Sequence, residues 1–202
     1  MPATAPRFRR YAPDIRAAML IEAGLACLAR GGITAFTIDN ICREAGASRG
    51  LVTHHFGAKE GLLAAVYAAA YQPMLESLTR QTATGASPDL ATLIDRLFAP
   101  ENFNPASLNI WLALWGEIAT SPALQAEHRK HYALYRDAVA QGLQNLALAR
   151  GIAIDAPGLA ISMIALIDGL WLEQCIDPDL LSPARAKAAC LRLLTPILGT
   201  FG

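Results

Sequence analysis

Prolines mark where helices begin along this chain, and that punctuation constrains its fold more than any other feature. Pro13, Pro88, Pro105, Pro122 and Pro183 each open a segment with apolar residues at helical spacing, and each follows a small or polar residue. Ser87, Asn104, Ser121 and Ser182 are suited to cap the first turn. A Pro at the first helical position lacks only an N–H that has no intrahelical partner there. Gly31-Gly32, Gly46 and Gly151 stand where segments close, as glycines do at helix C-termini. No stretch alternates at period two over more than a few residues. The pattern predicts an all-α chain of about nine helices, near 13–30, 38–45, 49–55, 59–82, 88–98, 105–119, 122–149, 156–175 and 183–199. Pro73, inside the fourth, removes one backbone hydrogen bond and is expected to kink it. The clear linker is TATGASPD, residues 82–89, and no internal repeat or low-complexity tract appears.

Two of the predicted helices are short and nearly touch. Thr37 is placed to cap a helix whose Ile38, Ile41 and Cys42 share an apolar face. Ala45-Gly46-Ala47 then forms a tight turn in which Gly46 can take a positive φ. Ser48 is placed to cap the next helix, with Leu51 and Val52 facing inward. Two such helices joined by a short Gly-containing turn make a helix-turn-helix, whose second helix enters the major groove of DNA. If Leu51 and Val52 face the core, Arg49, Gly50, Thr53 and His54 are exposed. Arg49 then suits a bidentate contact to guanine O6 and N7, worth about 1–3 kcal/mol of discrimination. Thr53 and His54 suit a phosphate or a base edge. Thr37, Ser48 and Lys59 fall at helix N-termini, where free N–H groups and the helix dipole favour a phosphate. Arg7, Arg9 and Arg10 form an N-terminal arm suited to further backbone or minor-groove contacts.

Gly32, Phe36-Thr37, Ile38, Ile41, Ala45-Gly46, Ser48, Gly50, His55-Phe56, Lys59-Glu60 and Leu62 together resemble the DNA-binding domain of the TetR family over roughly residues 14–64. The resemblance implies a three-helix DNA-binding domain at residues 1–64 and a larger helical domain for ligand binding and dimerisation at 65–202. In the family the first helix packs over the motif, and a Lys at the position of Lys59 begins the fourth. Phe56 would fix the end of the recognition helix against the core. One departure is that many relatives carry Tyr where this chain has Thr53 or His54, so a phenol-to-phosphate contact is absent.

In the second half, NIWLALWGEIATSP (109–122) and SMIALIDGLWLEQ (162–174) resemble the C-terminal domain of BetI-type members, the choline-responsive repressors. Trp111 and Trp115 are four apart and share one helix face, while Asp168 and Trp171, three apart, share another. If those faces converge they make an aromatic box with a countercharge, suited to a quaternary ammonium ion. If they do not, the indoles are core packing. Asp168, flanked by Ala165, Leu166, Ile167, Leu170 and Trp171, needs a partner if buried. The candidates are a ligand cation, a basic side chain, a helix N-terminus or water at a dimer edge. Glu117 points away from Trp115. The last two helices carry more apolar residues than one core face needs: Ile161, Ile164, Ile167, Leu170 and Leu172, then Leu191, Leu193, Leu194, Ile197 and Leu198. In the family the corresponding helices form a four-helix dimer interface, and two symmetric recognition helices read two half-sites about one DNA turn apart.

Composition is consistent with this picture. The apolar share of 53% exceeds the usual range of about 45–50%, as expected for a deep core plus an interface. The most apolar stretch, Leu159–Leu172, includes Ser162 and Asp168 and falls short of the roughly 20 residues of a membrane span. The first residues have no signal-peptide pattern. The overall net charge of zero hides +3 over residues 1–60 and −3 over the remainder, a basic head suited to nucleic acid. Cys27, Cys42, Cys175 and Cys190 are scattered and read as small buried hydrophobes in a reducing cytoplasm. His128 and His131 are three apart, but nothing completes a metal site, and both are assigned to the polar face of their helix. No nucleotide loop, catalytic triad or Cys-His pair is present. The expectation is therefore a cytoplasmic, dimeric, ligand-responsive transcriptional repressor, not an enzyme, with no cofactor. It would bind palindromic operator DNA and be released by a small-molecule inducer, choline or a related cation being one candidate. The alternatives are a family member acting as activator, or a helical small-molecule-binding or interaction protein without operator recognition.

Overall fold

The computed structural model of the chain describes residues 13–79, 90–100, 102, 104–177 and 179–199. The Arg7, Arg9 and Arg10 arm, the Ser87–Pro88 helix start and the 82–89 linker lie outside them. The described residues form nine helices and no strand: α1 (Pro13–Ala35), α2 (Ile38–Ala45), α3 (Arg49–Phe56), α4 (Lys59–Thr79), α5 (Leu90–Leu97), α6 (Pro105–Ile118), α7 (Pro122–Ala149), α8 (Ala156–Ile176) and α9 (Pro183–Leu198).

The ends follow from local chemistry. Asn104, Ser121 and Ser182 accept hydrogen bonds from Ser107, Leu124 and Arg185 N–H, with Pro next in each helix. A cap of this kind contributes about 1 kcal/mol. Asp155, which was not anticipated, caps α8 through Gly158 N–H. Regular α1 geometry breaks where two glycines fall together, Gly31 at φ −153° and Gly32 at φ 60°. One further turn then leads to Phe36. α4 runs on through Pro73 as one helix.

α1 lies at the centre of the N-terminal part, against α2, α3, α4 and also α6. Leu20, Leu28, Phe36, Ile41, Val52, Leu62 and Val66 are essentially fully buried there; each such side chain contributes about 1.5–3 kcal/mol by leaving water. α1 meets α4 closely because position 24 is glycine, where a Cβ would come 2.6 Å from Val66 Cγ2. At the α3–α4 junction a Cβ on Gly61 would collide with the Phe56 carbonyl oxygen. Gly61→Ala is therefore expected to lower stability by about 1–3 kcal/mol, read as a fall in the thermal midpoint.

In the larger part α7 is the axis, packed between α4 and α8, with α9 and α5 outside α8 and α4. α4 belongs to both parts of one continuous core: Val66 packs at Gly24 of α1, and Tyr67 and Tyr71 pack against Trp111 of α6 and His131 of α7. A second tie runs from α6, where Asn109 Nδ2 donates to Ala29 O of α1 at 2.9 Å.

Two expectations need correction here. α8 spans 21 residues and is apolar enough by length and composition to cross a membrane, as is Asp14–Ala35. Length by itself therefore does not set α8 apart from a membrane-spanning helix. What speaks for a packed helix is that α8 buries Ala160, Met163, Ile164, Ile167 and Trp171 within the protein. The apolar surplus of α8 and α9 also divides. Ile164, Ile167, Leu194 and Leu198 fill the protomer's own core, whereas Ile161 and Ile197 remain 48% and 39% exposed.

Candidate functional site

The helix-turn-helix is built as two anchored helices with one free face. Gly46 adopts the left-handed conformation at φ 58° and closes α2, its N–H and that of Ala47 turning back to Arg43 and Cys42 carbonyls. Thr37 caps α2, accepting from Asn40 N–H at 3.2 Å. Buried Ile41, Cys42 and Val52 hold both helices on α1 and α4. On the outer side of α3, Arg49, Gly50, Thr53 and His54 are all exposed. They fall on one strip of the helix. The protein itself does not need glycine at position 50, since a Cβ there would meet only Ser48 Oγ at 3.9 Å. Space is thus left for a partner.

Three details differ from the simple reading. Ser48 stands at the α3 N-cap with extended backbone, but its hydroxyl makes no cap hydrogen bond. Arg49 is not a free guanidinium, because its Nη2 pairs with Asp39 Oδ1 on α2. Lys59 is half-buried at the start of α4, with its ammonium 5.9 Å from the Phe36 ring centre. Phe36 and Phe56 both pack on the N-terminal core, Phe36 fully buried and Phe56 half-buried.

The second site is a cavity between α4, α6, α7 and α8. It has about 570 Å³ of empty space, part of it open to solvent, and Trp111, Trp115, Asp168 and Trp171 all line it. The two faces singled out in the sequence therefore converge. Trp111 and Trp115 lie 6.2 Å apart between ring centres. Trp111 stands edge-on to Tyr71 at 4.9 Å.

Asp168 is the unusual group. Among the described residues it has no hydrogen bond or ion pair. Burial pushes its carboxyl up to about 6. A desolvated carboxylate favours its neutral form unless a cation or donor stabilises the charge. Burial, with the Asp168 carboxylate adding to it, also raises the phenols of Tyr132 and Tyr135. Burial raises Tyr71 to about 12. These rings stay neutral at any ordinary pH, presenting π-faces and hydroxyls around one negative charge.

Sequence reasoning missed half of this wall. Tyr71 from α4 and His128, Tyr132 and Tyr135 from α7 line the same cavity, with Asn102 and Met74. The assignment of His128 and His131 to a solvated face is wrong. α7 is sandwiched between α4 and α8, so that face meets protein. His131 is buried and stacks on Tyr71 at 5.8 Å and 18°. His128 Nδ1 lies 2.8 Å from the Tyr67 hydroxyl, and burial lowers its pKa, so it does not add a competing cation. The signal was present: His128, His131, Tyr132 and Tyr135 recur at three, four and seven residues along one helix face.

Residues 20–66 match the family described as bacterial regulatory proteins, tetR family, and residues 86–199 match the BetI-type transcriptional repressor C-terminal domain. The chain is 33% identical over 188 residues to the transcriptional regulator BetI of Paraburkholderia phymatum, covering 89% of each chain. It is 28% identical to BetI 2 of Chromohalobacter salexigens, covering 93% of this chain and 91% of that one. Among solved structures, a transcriptional regulator from Pseudomonas aeruginosa PAO1 superposes with a TM-score of 0.79 at 36% identity, over 94% and 93% of the two chains. A regulator from Saccharomonospora viridis, solved in complex with choline, shares the fold with a TM-score of 0.76 at 19% identity, over 90% and 96%.

Proposed function

The chain belongs to the TetR family and is a transcriptional repressor of BetI type, and from that membership we propose that it binds a palindromic operator as a homodimer and is released by a small organic cation, choline or a close relative. Family members are regulators that bind operator DNA and small ligands, not enzymes. In this reading residues 1–64 read DNA in the cytoplasm, and residues 65–202 sense the ligand and dimerise. Thr37, Ser48 and Lys59 contact phosphates; Arg49, Gly50, Thr53 and His54 meet base edges or the backbone beside them.

The observation that carries the inducer class is the Asp168 carboxylate, without a partner among the described residues, inside a ring of indoles and phenols. A quaternary ammonium satisfies both: it neutralises the half-buried, desolvated charge and needs no hydrogen bond, and each desolvated cation–π contact contributes about 0.5–2 kcal/mol. The choline bound by the Saccharomonospora relative supports the same class. Coupling follows from what the cavity wall is attached to. Tyr71 and Met74 stand on α4, which begins at Lys59, and Trp111 and Trp115 stand on α6, tied by Asn109 to α1. A ligand that fits better when these helices separate shifts the population away from operator spacing, by its differential affinity and no more. Calorimetric titration with choline, betaine and an apolar neutral isostere is the test. Saturable binding of choline alone, in the micromolar to millimolar range, is expected after ordering costs of the site. No heat from millimolar choline would remove this inducer class and return the indoles to core packing.

The two kinds of DNA contact are separable by salt. Arg49→Ala is expected to relax base preference at one position per half-site with the salt slope almost unchanged. Lys59→Ala should weaken binding to all duplexes alike and lower the slope by about one. Titrations at several salt concentrations read both; identical behaviour of the two variants would remove the division of roles.

A further inference from the structure

We propose that Asp39 is a positioning residue for operator recognition: by pairing with Arg49 across the helix-turn-helix, it fixes the direction in which that guanidinium meets a base edge. The inference rests on the reading of α3 as the base-contacting helix.

Arg49 is the first residue of α3. A cation at a helix N-terminus faces the positive end of the dipole, which is unfavourable, and α3 has no acidic residue in its own first turn. The compensating carboxylate comes from α2, where Asp39 Oδ1 holds Arg49 Nη2. Asp39 is well placed to orient its partner because its own backbone is held on both sides. Thr37 caps Asn40 N–H, the Asn40 side chain donates to Ala35 O at 3.0 Å, and Ile41 and Cys42 are buried immediately after.

The pair is not a stability device. The Arg49 and Asp39 side chains are 72% and 58% exposed, and exposed pairs contribute little to folding because water already solvates both charges. What the contact does is geometric. The contact biases a long arginine toward the rotamers that reach across the turn, and one carboxylate oxygen occupies only one corner of the planar five-donor fork. The remaining N–H groups stay available for a bidentate contact to guanine O6 and N7. Gly50 beside it adds no bulk, and the Ser48 hydroxyl makes no cap bond. Asp39 also puts a negative charge on the face that approaches phosphate, so it should oppose binding to arbitrary sequence while sharpening binding to the right one.

That opposition of signs provides the test. The intact protein and its Arg49→Ala, Asp39→Ala, Asp39→Asn and Asp39→Glu variants are used to select from a randomised duplex pool. Affinity for one duplex of unrelated sequence and thermal midpoints are measured in parallel. The wild type should enrich guanine at one position per half-site, and Arg49→Ala should lose that preference. Asp39→Ala and Asp39→Asn should weaken it about two- to five-fold at the same position only, with midpoints lowered by a few degrees at most, as for losing one carboxylate from the first turn of α2, and about two- to three-fold tighter binding to the unrelated duplex, on the order expected for removing one repulsive charge. Asp39→Glu should restore part of the preference, and the double variant should select as Arg49→Ala does. If Arg49→Ala degrades a position that both Asp39 variants keep, the pairing has no role and only this inference falls. If Arg49→Ala changes no position, the reading of α3 falls with it. Preference lost at every position together with a larger fall in midpoint would make Asp39 a stability residue and overturn the proposal.

Discussion

Asp168→Asn is expected to reduce choline affinity at least about 100-fold, a loss of roughly 3 kcal/mol, as for breaking a buried ion pair, while making the ligand-free protein more stable. The two effects share one cause. Asp168 is held in a cavity of aromatic rings with no partner among the described residues, and burial raises its carboxyl from 3.8 to about 6. At neutral pH the charge is thus destabilising until a cation arrives. Asparagine keeps the shape and removes the charge. The ligand-free variant should gain about 1–3 kcal/mol at pH 7.5, the scale of a shift of this size.

The pH dependence follows with a definite sign. Folded Asp168 holds its proton to higher pH than the unfolded chain does. Between about 4 and 6 the folded state therefore binds more protons, and this residue's contribution to stability falls as pH rises through that window. Choline affinity runs the other way. It should be flat above pH 6 and drop towards ten-fold per unit below it, as the carboxylate is protonated, whereas Asp168→Asn should bind weakly at every pH. Calorimetry and thermal melts at pH 5, 6 and 7.5 read all of this. Unchanged affinity in the variant, or a ligand-free variant that melts lower at pH 7.5, would remove Asp168 as the countercharge.

The second large effect concerns assembly. Ile161→Glu combined with Ile197→Glu is expected to give a folded monomer that binds operator at least about 10³-fold more weakly, because losing the second half-site forfeits the gain from bivalency. Both isoleucines lie on the outer sides of α8 and α9. On α8, Ala165, Gly169 and Ile176 extend the same exposed strip, giving a partner helix an apolar and closely approachable surface. Leu194, which also appeared in the apolar surplus, behaves differently. It is fully buried in its own protomer, so Leu194→Glu should unfold the chain rather than separate a dimer. Sedimentation and circular dichroism distinguish the cases. A dimer that survives the double substitution would place the interface elsewhere.

These particulars show where one dimension sufficed. The helix starts at Pro105, Pro122 and Pro183, the left-handed Gly46, the break at Gly31-Gly32 and the exposed strip of α3 were all legible in the sequence. Each depends on dihedral preferences and hydrogen bonds among residues within about one turn of each other. Trp111 with Trp115, and Asp168 with Trp171, were legible as pairs for the same reason, since residues three or four apart share a helix face. What such a face meets is a different question. Whether it meets solvent, a neighbouring helix or a cavity depends on elements tens of residues away. Only tertiary packing put α7 between α4 and α8, taking His128 and His131 from a supposed polar face into contact with the protein and adding Tyr132 and Tyr135 to the wall of the site. It also gave Leu194 to the core while leaving Ile197 outside, and brought Asp39 against Arg49 ten residues on. Spacing along one helix decides which side chains travel together, but burial and charge compensation are properties of the assembled space between helices, and no single segment contains them.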